Sequence, residues 1–100
     1  MKIIWSYRAK QDLINIQNYI AMDNPEKAFE FVDLIVNKTE YLFDNPRMGR
    51  IVPEYSDPDF REIIIKNYRL LYKIVKDEIQ ILTVFEGRRL VKHGLREFSK

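Results

Sequence analysis

The stretch from residue 67 to residue 89, NYRLLYKIVKDEIQILTVFEGRR, constrains the fold more than any other part of the chain. Apolar and polar side chains alternate over residues 68–76, and a second apolar run covers residues 79–85. Alternation with a period of two is typical of a β-strand. Two such runs so close together predict an antiparallel hairpin, with its turn at Asp77 and Glu78, although that turn lacks the favoured glycine.

Both faces of this hairpin carry apolar residues, so alternation alone leaves open which face is covered by the rest of the protein. One face of residues 68–76 carries Tyr68, Leu70, Tyr72 and Ile74, and the other carries Arg69, Leu71, Lys73 and Val75. If the first face is covered, Arg69 and Lys73 point to the open side of the sheet. We then expect a basic surface, tempered by two acids, that consists of Arg61, Arg69, Lys73, Arg88 and Arg89 beside Glu54 and Glu62.

The N-terminal half predicts a short strand followed by two helices. Residues 2–5, KIIW, form the strand, and Ser6 is a suitable N-cap. Apolar residues then recur at helical spacing in Ala9, Leu13, Ile16 and Ile20. Asn24 and Pro25 begin a second helix, because proline fits the first helical position. The inner side of that helix carries Ala28, Phe31, Val32, Ile35 and Leu42. The short connection predicts an αα-hairpin.

An irregular connector follows the second helix, with prolines at positions 46, 53 and 58 and a glycine at 49. Its length is unusual in a compact domain and favours a functional or partner-binding role. A strand over residues 60–66 precedes the hairpin. The element order is βααβββ, and it predicts an α+β fold: an antiparallel sheet with the helical hairpin packed on one face. We expect residues 1–100 to form a single domain.

Composition excludes several classes of function. The chain has no cysteine and one histidine, His93, which argues against disulfides, a thiolate nucleophile and an all-protein zinc site. No apolar run approaches the roughly 20 residues of a membrane span, and we expect a cytoplasmic protein that does not enter membranes. The net charge is only +2. However, residues 87–96 carry four basic side chains and no acid, which suggests an anionic partner.

Four segments, in order and with family-like spacing, resemble the RelE/ParE superfamily of toxins from bacterial type II toxin–antitoxin pairs. They are WSYRAKQDLINIQNYIAMDNPEKAFEFVDLI, NPRMGRIVPE, FREIIIKNYRLLYKI and IQILTVFEGRR, and the likeness runs from about Ile4 to Arg89. The resemblance implies the βααβββ fold, a bacterial cytoplasmic location and a cognate antitoxin that wraps the toxin with a partly disordered segment in a hetero-oligomer.

The superfamily has two branches with different activities. The RelE-like branch resembles a ribonuclease that cuts messenger RNA on the ribosome without a metal or other cofactor. That chemistry needs a base, an acid and cations on the phosphate. Arginine suits the phosphate because its fork matches the oxygens. The candidates are Arg61, Arg69 and Arg89 for the phosphate and Glu62, Tyr68, Tyr72 and His93 for acid and base. The tail after the last strand has no tyrosine, so the acid–base set for a nuclease is incomplete.

The ParE-like branch fits the residues better. This branch poisons DNA gyrase. The features that resemble it are the YIA.DNP..A bend, the P..GR.VPE connector and a last strand that ends in Gly87-Arg88-Arg89. Members usually have a histidine before this Gly-Arg-Arg, whereas this chain has Glu86. The leading hypothesis is therefore a gyrase-binding toxin without catalysis of its own, with Arg61, Arg69, Lys73, Arg88 and Arg89 as target or antitoxin contacts. The alternatives are a ribosome-dependent messenger-RNA endonuclease and a non-toxic antitoxin-binding member of the family.

Overall fold

The computed structural model describes residues 1–87 of the 100-residue chain. It has two helices followed by most of a five-stranded sheet, which confirms the predicted α+β fold. The helices are α1 (Tyr7–Ala21) and α2 (Pro25–Glu40), and a short 3₁₀ turn (Tyr41–Phe43) follows α2. The strands are β1 (Lys2–Trp5), β2 (Arg50–Ile51), β3 (Phe60–Ile65), β4 (Tyr68–Val75) and β5 (Glu78–Glu86). No helix among the described residues is both long and apolar enough to cross a membrane.

The sheet is mixed rather than wholly antiparallel, with the strand order β1-β5-β4-β3-β2. β2 to β5 pair antiparallel, whereas β1 runs parallel to β5 from Lys2 opposite Glu78 to Trp5 opposite Ile81. A parallel pair needs a long crossover, and the helical hairpin is part of the chain that connects β1 to β5. The prediction missed β2, because two residues inside a connector give no periodic signal.

The two helices begin at the predicted caps. The Ser6 hydroxyl oxygen accepts a hydrogen bond from the Ala9 amide at 2.9 Å, and Asn24 Oδ1 accepts one from the Lys27 amide at 3.1 Å. These side chains satisfy backbone donors that have no partner inside the first helical turn. Pro25 occupies the first turn of α2, as expected from its fixed φ. The helical hairpin is therefore set by local sequence.

The helices cover the face of β4 that carries Leu70, Tyr72 and Ile74. These side chains share one buried cluster with Ala9, Ile16, Phe31 and Ile35 from the helices, and Leu13 and Ile20 pack against it. The opposite face is also covered in part, because Val52 and Phe60 join Leu71 and Leu82 in a second cluster beside Tyr55 and Phe85. The connector between α2 and β3 therefore contributes to a core on the far side of the sheet from the helices.

A β-bulge explains why β5 reads as a continuous apolar run. Leu71 pairs with Thr83 and Tyr72 pairs with Ile81, so Leu82 is an extra residue in β5. Beyond the end of β1, a side chain of α1 provides hydrogen bonds to the edge of β5. Asp12 Oδ2 accepts hydrogen bonds from the Val84 amide at 3.0 Å and from the Thr83 hydroxyl at 2.6 Å. The part of the β5 edge that β1 does not pair with is thus closed by the Asp12 side chain of α1.

The β4–β5 turn lies one residue earlier than predicted. Val75 pairs with Glu78, so Lys76 and Asp77 form the loop and Glu78 belongs to β5. Lys76 has a φ of 53°, and Lys66, in the two-residue loop between β3 and β4, has a φ of 55°. The absence of glycine made the turn hard to place, because the positive φ that marks such a loop falls on lysines.

Candidate functional site

Arg69 lies on the face of β4 opposite the helices, yet its side chain is enclosed. Only 8% of the residue is exposed. Its Nε donates to Glu62 Oε1 at 2.7 Å, and its Nη2 donates to the same oxygen. Its Nη1 and Nη2 donate to the two carboxylate oxygens of Glu54 at 3.3 and 3.2 Å. A fork held by two carboxylates in this way has its charge neutralised on both sides.

Glu62 on β3 links Arg69 to a second arginine. The Glu62 side chain is fully buried, and its other oxygen accepts from Arg50 Nε on β2. The sheet register makes this possible because Glu62 pairs with Arg50 on one side and, on the other, with Leu71, which is two residues along β4 from Arg69. We call Arg50, Glu54, Glu62 and Arg69 the Arg–Glu cluster. Its formal charge sums to zero.

The ion pairs of the cluster shift the pKa values of Glu54 and Arg69. Burial opposes the charged form of Glu54, but the hydrogen bond and charge of Arg69 outweigh it and lower the pKa of Glu54. Burial also disfavours charge on Arg69, yet Glu54 and Glu62 together raise its pKa. Arg69 therefore stays charged, as does Glu54 at neutral pH. The arrangement fastens the connector, through Glu54, to β3 and β4.

The expected basic surface is therefore corrected at Arg69, which lies on the predicted face of the sheet but is buried and paired. Arg61 is half-buried, and its guanidinium donates to three backbone carbonyls of the connector, those of Pro58 at 2.8 Å, Gly49 at 2.8 Å and Arg47 at 3.2 Å. Lys73 is half-buried opposite Phe60. Within residues 1–87 these three cations do not form one open patch.

Tyr72 and Gly49 fix the connector from the helix side of the sheet. The Tyr72 hydroxyl donates to the Pro46 carbonyl at 2.8 Å and accepts from the Gly49 amide at 3.0 Å. Burial raises the pKa of Tyr72. A Cβ at Gly49 would lie 2.6 Å from the Glu62 carbonyl oxygen and 2.7 Å from the Tyr72 hydroxyl, so no larger residue fits. Tyr72, proposed above as an acid or base, is fully buried and already bonded.

The remaining acid–base candidates also occupy structural positions or lie outside the described chain. Tyr68 is half-buried on the helix side, with its ring 5.2 Å from that of Phe31 between centroids. Glu62 belongs to the Arg–Glu cluster. His93, Arg88 and Arg89 lie outside residues 1–87. No group of three or more His, Cys, Asp or Glu residues in the described part of the chain is arranged to hold a metal ion.

The exit of β5 is held by the β3–β4 loop. The Gly87 amide donates to the Asn67 carbonyl at 2.7 Å, and Asn67 Nδ2 donates to Glu86 Oε2 at 3.4 Å. The Arg69 guanidinium lies 5.7 Å from the centre of the Phe85 ring. The end of β5 is therefore held by Asn67 and by the residues around Arg69.

Sequence reasoning missed the role of Arg50 and expected Glu54 only to temper an open basic surface. Both residues lie in the irregular connector, where no periodicity places a side chain on a face. The available signal was an acid, Glu62, and an arginine, Arg69, on two neighbouring strands. Such a combination suits a buried ion pair between the strands. Arg50 and Glu54 reach Glu62 and Arg69 only through the strand register and the path of the connector over the sheet.

Comparison with known proteins agrees with this architecture. A solved structure of the chromosomal ParDE TA system from P. aeruginosa contains a chain that is similar to this one, with 27% sequence identity and a TM-score of 0.72. The similarity covers 86% of this chain and 95% of that chain. No curated protein matches. Residues 3–91 match the family described as the ParE toxin of the type II toxin–antitoxin system, parDE. The chain therefore belongs to the ParE toxin family.

Proposed function

We propose that this protein inhibits bacterial growth by binding DNA gyrase and that a cognate antitoxin neutralises it. Membership of the ParE family and the similarity to a ParDE system support the toxin–antitoxin setting. In this proposal the protein acts in the bacterial cytoplasm. The observation that favours gyrase binding over cleavage of messenger RNA is the mutual pairing of Arg69 and Glu62.

RNA cleavage needs an available base and a cation that reaches the phosphate. Glu62 is 1% exposed and accepts hydrogen bonds from two arginines, so its lone pairs point into the protein. Arg69 gives its donors to Glu54 and Glu62. Of the seven residues named for a nuclease, Arg69 and Glu62 are therefore occupied with each other. Arg61 donates to the connector, Tyr72 is buried and bonded to it, and Tyr68 packs on Phe31, so the reaction would depend mainly on Arg89 and His93. A binding function needs no such set.

In this proposal Arg88 and Arg89 are the principal contacts with the target, and Arg61 and Lys73 support them from the sheet. Arg69 contributes by structure rather than by contact. The antitoxin segment lies along the helical hairpin. Support for this placement comes from four large apolar residues of the hairpin region that are at least 70% exposed: Tyr7, Tyr19, Met22 and Phe29. Exposed apolar groups mark a protein-binding surface where they form a contiguous patch.

The experiment that tests the target is induction of the protein in growing cells, followed by assays for linearised DNA and for cleaved messenger RNA. We expect a growth defect with linearised DNA and intact message, relieved by co-expression of the antitoxin. The variant Arg88→Ala/Arg89→Ala should remove toxicity. The control variant Lys10→Ala/Lys27→Ala removes the same charge from exposed helix positions and should stay toxic.

The other outcomes contradict the proposal in distinct ways. Cleaved message that disappears in Arg89→Ala and His93→Ala would indicate a ribosome-dependent endonuclease. Full toxicity of the Arg88→Ala/Arg89→Ala variant would remove these arginines from the target contact. A protein that binds its antitoxin but causes no growth defect would be a non-toxic member of the family.

A further inference from the structure

We propose that the open edge of β3 binds an extended, acidic segment of a partner protein, which adds a short strand to the sheet. The β3 edge consists of the backbone of residues 63–65 together with the exposed guanidinium of Arg50. It is a different surface from the exposed residues of the helical hairpin. Its occupant is defined by chemistry alone, as a segment with alternating carboxylate and apolar side chains.

The first support is that β2 leaves part of β3 unpaired. β2 is the last strand of the sheet on this side, and it pairs only with residues 61 and 62 of β3. Before β2 the chain turns to the helix side of the sheet, where the Gly49 amide donates to the Tyr72 hydroxyl at 3.0 Å. Residues 63–65 therefore pair with β4 on one side and with no strand of residues 1–87 on the other.

The hydrogen-bond pattern of β3 points the backbone of Ile64 toward this open side. The Val52 amide donates to the Phe60 carbonyl at 3.0 Å on the β2 side, and the Ile74 amide donates to the Asp59 carbonyl at 2.9 Å on the β4 side. These directions alternate along a strand in an antiparallel sheet, so the N–H and C=O of Ile64 face outward. Within the described chain no backbone group pairs with them there. Such an edge is a template for an added strand.

The side chains at the β3 edge fit an acidic segment. Ile64, opposite Arg69 in the register, is 49% exposed. Arg50 donates through Nε to the buried Glu62, and no described residue accepts from its Nη1 or Nη2. The carboxylate of Glu54 is already bound to Arg69. A partner glutamate beside Ile64 would pack its methylene groups there and reach the two free nitrogens of Arg50 with its carboxylate.

The same charges argue against a second copy of the chain as the occupant. Two such edges paired antiparallel about Ile64 would make residues 62 and 66 of the two copies partners. Lys66 of one copy would then meet the place beside Glu62 that Arg50 occupies in the other. Like charges at such positions destabilise a sheet, whereas an acidic segment meets no such conflict.

The probe for this site is a synthetic peptide of alternating glutamate and valine, about 6 residues long, which is the length of a typical strand. Added to the full chain at saturation, it should slow hydrogen exchange of the Ile64 amide about tenfold in NMR measurements. Two control peptides should leave this exchange unchanged. One carries lysine in place of glutamate, and the other is N-methylated at its glutamates and so lacks the backbone donors.

Variants of the protein test the two halves of the site. Arg50→Gln removes the exposed charge and leaves Glu62 paired with Arg69, and we expect it to weaken peptide binding about tenfold, the loss of one charged hydrogen bond. Lys10→Gln removes the same charge from an exposed position of α1 and should bind as the wild type does. Ile64→Pro removes the outward N–H that β4 does not use and should abolish binding. If this variant fails to fold, the N-methylated peptide makes the same test on the unaltered protein.

Several outcomes would overturn the proposal. One is Ile64 exchange that is unchanged by the glutamate peptide, and another is equal protection by the lysine peptide. Protection that grows with protein concentration in the absence of peptide would assign the β3 edge to a second copy. A short oligonucleotide that binds at Arg50 without protecting the Ile64 amide, where the glutamate peptide fails, would assign that cation to phosphate. None of these measurements uses gyrase, so the proposed function stands or falls separately.

Discussion

Glu62 is the residue on which the far side of the sheet depends. It is a fully buried carboxylate on β3 between two arginines, only one of which, Arg50, is substantially exposed. Burying a carboxylate is costly unless its charge and its lone pairs are both satisfied. Here Arg69 and Arg50 satisfy both. Loss of Glu62 leaves Arg69 buried with Glu54 as its one remaining acid in the cluster.

Replacing this carboxylate by an amide tests that dependence. Glu62→Gln keeps the size of the side chain but leaves the buried guanidinium of Arg69 short of negative charge. We expect the free energy of unfolding to fall by about 3 kcal/mol, which is the lower end of the range for breaking a buried ion pair, because Glu54 remains. Urea unfolding at neutral pH measures this change.

The matched control for this prediction is an exposed ion pair on the same connector. Asp59 accepts from Arg47 at 3.0 Å, and both side chains are about half exposed. Surface pairs contribute between about 0 and 1 kcal/mol, so Asp59→Asn should change stability little. Equal losses in Glu62→Gln and Asp59→Asn would mean that the Arg–Glu cluster is energetically an ordinary surface network.

At the scale of elements, the two hairpin loops of the sheet are built without glycine. Lys66 and Lys76 each hold a positive φ at the first position of a two-residue loop. A left-handed conformation costs a residue with a Cβ about 1–2 kcal/mol. Glycine avoids that cost but loses about 0.5–1 kcal/mol more backbone entropy on folding. The difference favours glycine.

Lys76→Gly should therefore stabilise the protein by about 0.5–1 kcal/mol. Lys76 suits this test because Lys66 also places its ammonium 5.7 Å from the centre of the Phe31 ring, a contact that a substitution there would remove. Asp77→Gly changes the other loop residue, which has no positive φ, and should destabilise. Thermal unfolding of both variants gives the comparison, and a loss of stability in Lys76→Gly would contradict the strain argument.

At the scale of the whole molecule, the local sequence pattern predicted the helices and strands that have a clear apolar period. The helix stripes at Ala9 and Ile16, the caps at Ser6 and Asn24 and the strands β3 to β5 follow from local pattern. The parallel pairing of β1 with β5 does not, because strand order depends on how the helical hairpin packs. The Arg–Glu cluster does not follow either, since it needs the register of three strands and the return of the connector.

The connector is thus the part of the molecule whose place is set by polar contacts as well as by packing. Val52 and Tyr55 pack on the sheet, while Glu54 binds Arg69 and the carbonyls of Gly49 and Pro58 bind Arg61. Apolar contacts of this kind are insensitive to pH, whereas the ion pairs depend on ionised carboxylates. Acid should therefore loosen the connector before it unfolds the core of the helical side.

This difference gives a pH prediction whose sign is fixed by Glu54. Its pKa is lower in the folded protein than its usual value of 4.5, so the folded state favours the ionised form. The stabilisation is complete above about pH 5 and is lost as the pH falls through the folded pKa. The melting temperature of Glu54→Gln should therefore lie below that of the wild type at pH 7, and the gap should narrow as the pH falls below 4.5. Because Glu54 is partly exposed, the gap at pH 7 is small and shrinks further in high salt.

Glu30→Gln, at an exposed position of α2, should track the wild type at every pH. A gap between Glu54→Gln and the wild type that persists unchanged at pH 3 would mean that Glu54 acts through packing and not through its charge.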